Sequence, residues 1–116
     1  MSDDKLELVD KQVLAMLQDA IGDSLGRIVD LYLSDVPQTI NEMRAALKND
    51  DLVTVRRLAH SLKSSCANLG AMQTSASASE LEQYIDADNT DHAQVSVMID
   101  QIANIFDQTR SIYTTL

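Results

Sequence analysis

Residues 51–70, DLVTVRRLAHSLKSSCANLG, carry the pattern of a complete amphipathic helix with its start and end signals. Asp51 suits an N-cap, because its carboxylate can accept hydrogen bonds from free backbone N–H groups of the first turn. Gly70 suits the left-handed backbone conformation that often follows the last turn. Apolar residues recur at steps of three and four, which predicts one buried stripe, formed by Val55, Leu58, Leu62, Cys66 and Leu69.

Four further helical segments flank this one. A short helix is predicted from an N-cap at Asp10 to about residue 20, and a long helix from residue 23 or 24 to about residue 48. A fourth helix is predicted over about residues 71–87, and a fifth after an N-cap at Asp91. Pro37 lies inside the long segment and predicts a kink or a restart, because proline has no backbone N–H.

The short connections between these long segments favour antiparallel neighbours. The fold class predicted is therefore all-α: an antiparallel up-down-up-down four-helix bundle with a short extra N-terminal helix, formed by residues 1–116 as a single domain. An aromatic content of 3% and a single proline agree with helices rather than sheet. Apolar positions predicted to pack in the core, beyond the stripe above, include Met16, Ile28, Leu31, Tyr32, Val36, Ile40, Met43, Leu47, Met72 and Met98.

Composition narrows the compartment and the classes of partner. A net charge of −9 argues against nucleic acid and against an anionic membrane surface. The chain has no apolar run long enough to span a membrane, and its acidic start, MSDDKLELVD, lacks the features of a signal peptide. One cysteine cannot form an internal disulfide. These features predict a protein of the reducing cytoplasm.

The charge is unevenly distributed, since residues 52–79 contain no Asp or Glu. At about 100° per residue, His60 lies on the helix face opposite the apolar stripe. The same exposed face carries Arg56, Arg57, Lys63, Ser64 and Ala67. Positive charge beside an accessible imidazole suits phosphoryl transfer, which depends on neutralising the transferring group. A chance cluster of solvated charges around a surface histidine is the simpler alternative.

The stretch HSLKSSCANLG, residues 60–70, resembles the signature of histidine-containing phosphotransfer (HPt) domains. That signature has a histidine, a lysine three residues later, commonly a glycine at plus four, then small residues and a glycine at plus ten. Ser64 departs from it, since serine replaces the commoner glycine and adds a hydroxymethyl group beside the ring. Serine is still small, so we expect the function to survive with a tighter fit to partners.

The resemblance implies that His60 accepts a phosphoryl group from an aspartyl phosphate on a response-regulator receiver domain and passes it to another receiver. Lys63 would steady the phosphate, and Gly70 would close the helix that presents the histidine. No cofactor or ATP site of its own is implied, because the receiver supplies Mg²⁺. Partners would be receiver domains, with a hybrid sensor histidine kinase among the candidates, and the chain would be a monomer. Expected docking positions are Arg56, Arg57, Ser64 and Ala67.

Some members of the family also place a glutamine on the following helix near the histidine. Counting back from the turn at Gly70 places residue 80 level with His60, so Gln83 lies within a turn of it. Gln83 is therefore a further expected docking residue, although Glu82 is equally near. Two histidines in different segments with no thiolate cluster predict no metal site. The rival hypothesis is a helical protein-interaction module without phosphotransfer chemistry, which would not need His60.

Overall fold

The computed structural model describes residues 7–115, and all regular structure in that range is helical. The five helices are α1 (Lys11–Ile21), α2 (Ser24–Lys48), α3 (Leu52–Asn68), α4 (Met72–Asp86) and α5 (His92–Thr114). Helix α2 packs against α3 and α5, α4 packs against the same two helices, and α1 lies against α2. The predicted all-α four-helix bundle with a short N-terminal helix is confirmed. None of the helices described is long and apolar enough to cross a membrane.

Aspartate caps start three of the helices, as their positions in the sequence predicted. Asp10 accepts the backbone N–H of Gln12 at 2.9 Å at the start of α1, and Asp91 caps α5 in the same way. Asp51 accepts both the backbone N–H and the hydroxyl of Thr54, at 3.0 and 2.6 Å. Those two bonds lower the pKa of Asp51, with the hydroxyl bond contributing most. The cap therefore fixes where the helix that carries His60 begins.

Gly70 ends α3 and also anchors the start of α1. Its φ of +80° lies in the left-handed region, and its N–H donates to the Ala67 carbonyl at 3.0 Å. Its own carbonyl accepts the backbone N–H of Asp10 at 2.7 Å. A Cβ at this position would lie 2.8 Å from the Asp10 carbonyl oxygen. The turn thus needs a glycine both for its backbone conformation and for the close approach of α1.

The apolar stripe predicted on α3 is buried in full. Three other core predictions were wrong, because Met16, Ile28 and Leu31 are 70%, 40% and 57% exposed. Ile28 and Leu31 each precede a buried residue of α2 by one position, which turns them about 100° away from the core. Met16 follows the buried Leu14 of α1 by two positions and points to the opposite side of that helix. Of the other methionines, Met43 is fully buried, and Met72 and Met98 are half-buried.

Helix α2 passes through Pro37 as one element from residue 24 to residue 48, so the expected restart does not occur. Proline removes one backbone hydrogen bond from a helix interior. The buried stripe of α2 continues on both sides of it, with Val36 before and Ile40 after the proline. Packing of that stripe against the neighbouring helices offsets the single lost bond.

Candidate functional site

His60 lies on the outer face of α3, with 54% of its side chain exposed. The adjacent Ala59 is fully buried, which fixes the direction of this helix relative to the core. The Nδ1 atom of His60 lies 2.8 Å from Oε2 of Glu82 on α4. One side of the imidazole is therefore held by the protein while much of the ring remains accessible.

Glu82 is a nearly buried carboxylate that meets three basic side chains of α3. It is only 6% exposed, and its Oε1 accepts a hydrogen bond from Lys63 Nζ at 2.8 Å. Its Oε2 lies 3.3 Å from Nη2 of Arg56, besides its contact with His60. The bond from Lys63 is the largest influence on the pKa of Glu82 and lowers it; burial opposes this, and the bond from His60 adds to it. Glu82 is therefore ionised near neutral pH.

The contact with Glu82 sets the tautomer of a neutral His60. An ionised carboxylate can only accept hydrogen bonds, so the Nδ1 atom that faces it must carry a proton. In the neutral ring Nε2 then keeps its lone pair. An accessible nitrogen lone pair on an oriented ring is what a nucleophile requires.

Close packing of α3 and α4 brings Glu82 to His60. Ser75, Ala78 and Glu82 follow one another at steps of three and four, so they share one face of α4. All three are buried, and the Ser75 hydroxyl donates to the Lys63 carbonyl at 2.8 Å. Small side chains on this face let α4 approach closely enough for the Glu82 carboxylate to reach α3.

The basic segment seen in the sequence is partly neutralised by α4. The Arg56 guanidinium bonds Asp86 with Nε and Nη2, at 2.8 and 3.3 Å. This pairing and the contact with Glu82 hold Arg56 against α4 instead of leaving it free for a partner. Arg57 and Ser64 are exposed and Ala67 is half-buried, so these three predicted docking residues surround His60 at the surface.

Gln83 does not face His60. Its side chain is exposed, and its amide donates to the Ser79 hydroxyl at 3.1 Å. The sequence offered Gln83 and Glu82 as neighbours of His60 and Gln83 was preferred, but Glu82 is the residue that contacts the ring. The useful signal was the helical phase of α4, because Glu82 shares its face with the buried residues Ser75 and Ala78, whereas Gln83 shares its face with the partly exposed Ser79.

An apolar groove of about 360 Å³ runs beside this site. Its α3 wall includes Ser61 and Ser65, which flank the His60 face, and its other wall includes Leu17 of α1 and Ile28 and Leu31 of α2. The two α2 side chains that sequence analysis assigned to the core therefore line a surface groove next to the histidine. Within residues 7–115, no group of three or more His, Cys, Asp or Glu side chains is placed to hold a metal ion.

Comparisons with known proteins point to one family. The family model for the Hpt domain matches residues 27–112. The chain is 30% identical over 100 residues to the phosphorelay protein LuxU of Vibrio vulnificus strain YJ016, covering 84% of this chain and 87% of LuxU. Among solved structures it is similar to histidine-containing phosphotransfer protein B (HptB) of Pseudomonas aeruginosa PAO1, with a TM-score of 0.88 and 25% identity over 96% of this chain and 95% of HptB.

Proposed function

The chain belongs to the Hpt domain family, and we propose that it is a phosphorelay intermediate whose His60 carries a phosphoryl group between receiver domains. The observation that carries this proposal is the exposed imidazole whose Nδ1 is held by Glu82 beside Lys63. LuxU, a relative of similar length, is itself named a phosphorelay protein. A helical interaction module without phosphotransfer would have no use for an oriented, accessible histidine.

The transfer step exchanges one bond to phosphorus for another. Nε2 of His60 attacks the phosphorus of an aspartyl phosphate in line, and the P–O bond to the receiver's aspartate breaks. The electron pair of that bond returns to the aspartate carboxylate, while the ring keeps its Nδ1 proton and gains positive charge. Glu82 stabilises that charge across the 2.8 Å contact. Transfer to a second receiver reverses the step. Mg²⁺ bound by each receiver would supply charge neutralisation for the phosphoryl oxygens.

The groove beside His60 is the docking surface for the receiver. Ile28 and Leu31 are large apolar side chains exposed at its wall, and the exposed face of α3 completes the surface with Arg57, Ser64 and Ala67. The buried core of a protein–protein interface is more apolar than the rest of the surface, so this apolar wall suits contact with a partner. We expect the chain to act as a monomeric single domain in the cytoplasm, where receiver domains are found.

A labelled receiver domain tests this function. The receiver, carrying ³²P on its aspartate, is mixed with wild type, His60→Gln or His92→Gln, and the label on the phosphotransfer protein is measured. The chain has two histidines, so His92→Gln is a matched control. Wild type and His92→Gln should take up acid-labile, base-stable label, whereas His60→Gln should take up none. Label retained by His60→Gln would refute the assignment, and a wild type unlabelled by a panel of receivers would favour the interaction module.

A further inference from the structure

Glu82 contacts both residues on which the proposed reaction depends. One carboxylate oxygen bonds the Lys63 ammonium and the other bonds His60 Nδ1, each at 2.8 Å. Arg56 also reaches Glu82, but it has Asp86 as a second partner. In the unphosphorylated protein, Lys63 is therefore already committed to Glu82.

Phosphorylation of Nε2 changes the charge next to Glu82. The ring with its Nδ1 proton gains one positive charge, and the phosphoryl group brings close to two negative charges near neutral pH. The phosphorylated residue therefore carries a net charge of about −1, where the free ring was neutral. Glu82 attracts the positive ring across the 2.8 Å contact and repels the more distant phosphoryl oxygens, so its direct effects on the phosphorylated residue oppose each other.

Lys63 gives Glu82 an indirect effect with a definite sign. Its single ammonium group can neutralise the phosphoryl oxygens, but in the resting site it bonds Glu82 at 2.8 Å. Moving the ammonium to the phosphoryl group weakens that bond. The buried Glu82 carboxylate then has less compensation for its charge, which is costly. Glu82 thus competes with the phosphoryl group for Lys63.

We propose that Glu82 is a positioning residue that keeps the phosphoryl group on His60 easy to release, by competing with it for Lys63. This inference rests on the proposed function. The bond to Nδ1 orients the ring for attack, while the competition for Lys63 keeps phosphohistidine from becoming a stable end point. A relay intermediate benefits from both, because it must accept the group and also give it up.

The substitution Glu82→Gln separates these two roles. A glutamine amide oxygen can still accept the Nδ1–H bond, but it carries no charge and releases Lys63 for the phosphoryl group. The phosphorylated state should therefore gain stability relative to the free state. We expect the equilibrium constant for transfer from receiver to His60 to rise about tenfold, which corresponds to about 1.4 kcal/mol. Discharge to a second receiver should slow by a similar factor.

The experiment equilibrates ³²P-labelled receiver with each variant and measures the ratio of phosphohistidine to aspartyl phosphate after rapid quenching. Glu80→Gln is the matched control, because Glu80 is an exposed glutamate of the same helix that lies on its α5 side, near Gln101 and Asn104 and away from the docking groove. Its ratio should equal that of wild type. In a Lys63→Met background, Glu82→Gln should no longer raise the ratio, because the increase depends on the released ammonium.

The outcomes distinguish this inference from the proposed function. An increase in the ratio for Glu82→Gln alone supports the role of Glu82, whereas an unchanged or lower ratio overturns it. Absence of label on wild type and on Glu80→Gln would instead refute the phosphotransfer function itself. Thermal unfolding checks that each variant folds. If Glu82→Gln fails to fold, Glu82→Met removes the same charge with an apolar side chain suited to a buried position, and the same increase is expected.

Discussion

Glu82 is the residue whose protonation should matter most for the α3–α4 contact. The hydrogen bond from Lys63 is the main cause of its lowered pKa. A carboxyl group with a lowered folded-state pKa adds stability above its ordinary pKa and loses it as the pH falls through the folded value. We expect the difference in unfolding free energy between wild type and Glu82→Gln to be constant near neutral pH and to shrink below about pH 4.

Urea unfolding of the two proteins across this pH range measures the difference directly. Comparing them cancels the contribution of carboxylates that both share, including Asp51 and Asp86, whose pKa values are also lowered. A difference that stays the same down to about pH 2.5 would show that Glu82 is not held as an ionised carboxylate.

Cys66 is a second single residue that gives a test, and its role is to pack in the core of the bundle. It is fully buried, and its Sγ accepts the Tyr32 hydroxyl at 3.2 Å. Burial raises the pKa of the Cys66 thiol to about 11, so very little thiolate exists near neutral pH. We expect a disulfide reagent such as DTNB to react with Cys66 orders of magnitude more slowly in the native protein than in guanidinium chloride. Rapid reaction of the native protein would contradict the burial of this side chain.

At the scale of elements, the turn at Gly70 joins α1 to the end of α3. Gly70→Ala would place a methyl group 2.8 Å from the Asp10 carbonyl and 3.2 Å from Val13 Cβ, at a φ of +80°. We expect a loss of about 1–3 kcal/mol in the free energy of unfolding, measured with urea. Gly26→Ala is the matched control, because it lies within α2 with open space around it. That change should stabilise the protein by about 0.5–1 kcal/mol. Equal effects at both positions would contradict this account of the turn.

The boundaries of the elements could be predicted from local signals. Capping aspartates, polar turns and helical periodicity depend on residues close in sequence, and they located all five helices to within one or two residues. Which flank of a helix is covered depends instead on its neighbours, so Ile28 and Leu31 were misplaced. The position of Glu82 against His60 depends on the relative phase of α3 and α4, a long-range property that a single sequence does not contain.

At the scale of the whole molecule, the groove between α1, α2 and α3 predicts where a receiver binds. Leu31 is 57% exposed at its wall. Leu31→Glu should therefore weaken the affinity for the receiver about tenfold or more by placing a charge in an apolar contact. Fluorescence anisotropy with a labelled receiver measures this change.

Val97→Glu provides the control for that measurement, since Val97 is an exposed apolar residue of α5 that does not line the groove. It should bind the receiver as wild type does, and both variants should keep the thermal stability of folded protein. Equal loss of affinity in the two variants would mean that overall charge, rather than this groove, controls docking.

The proposed carrier of the phosphoryl group is the accessible Nε2 of His60, because Glu82 holds Nδ1. The most direct test of this assignment is NMR of protein phosphorylated by a receiver domain, with ¹⁵N-labelled histidine and ³¹P detection to assign the bonded nitrogen. We predict a single phosphohistidine at position 60, with phosphorus on Nε2 and a proton retained on Nδ1. Phosphorus on Nδ1, on His92 or on a carboxylate would contradict the account.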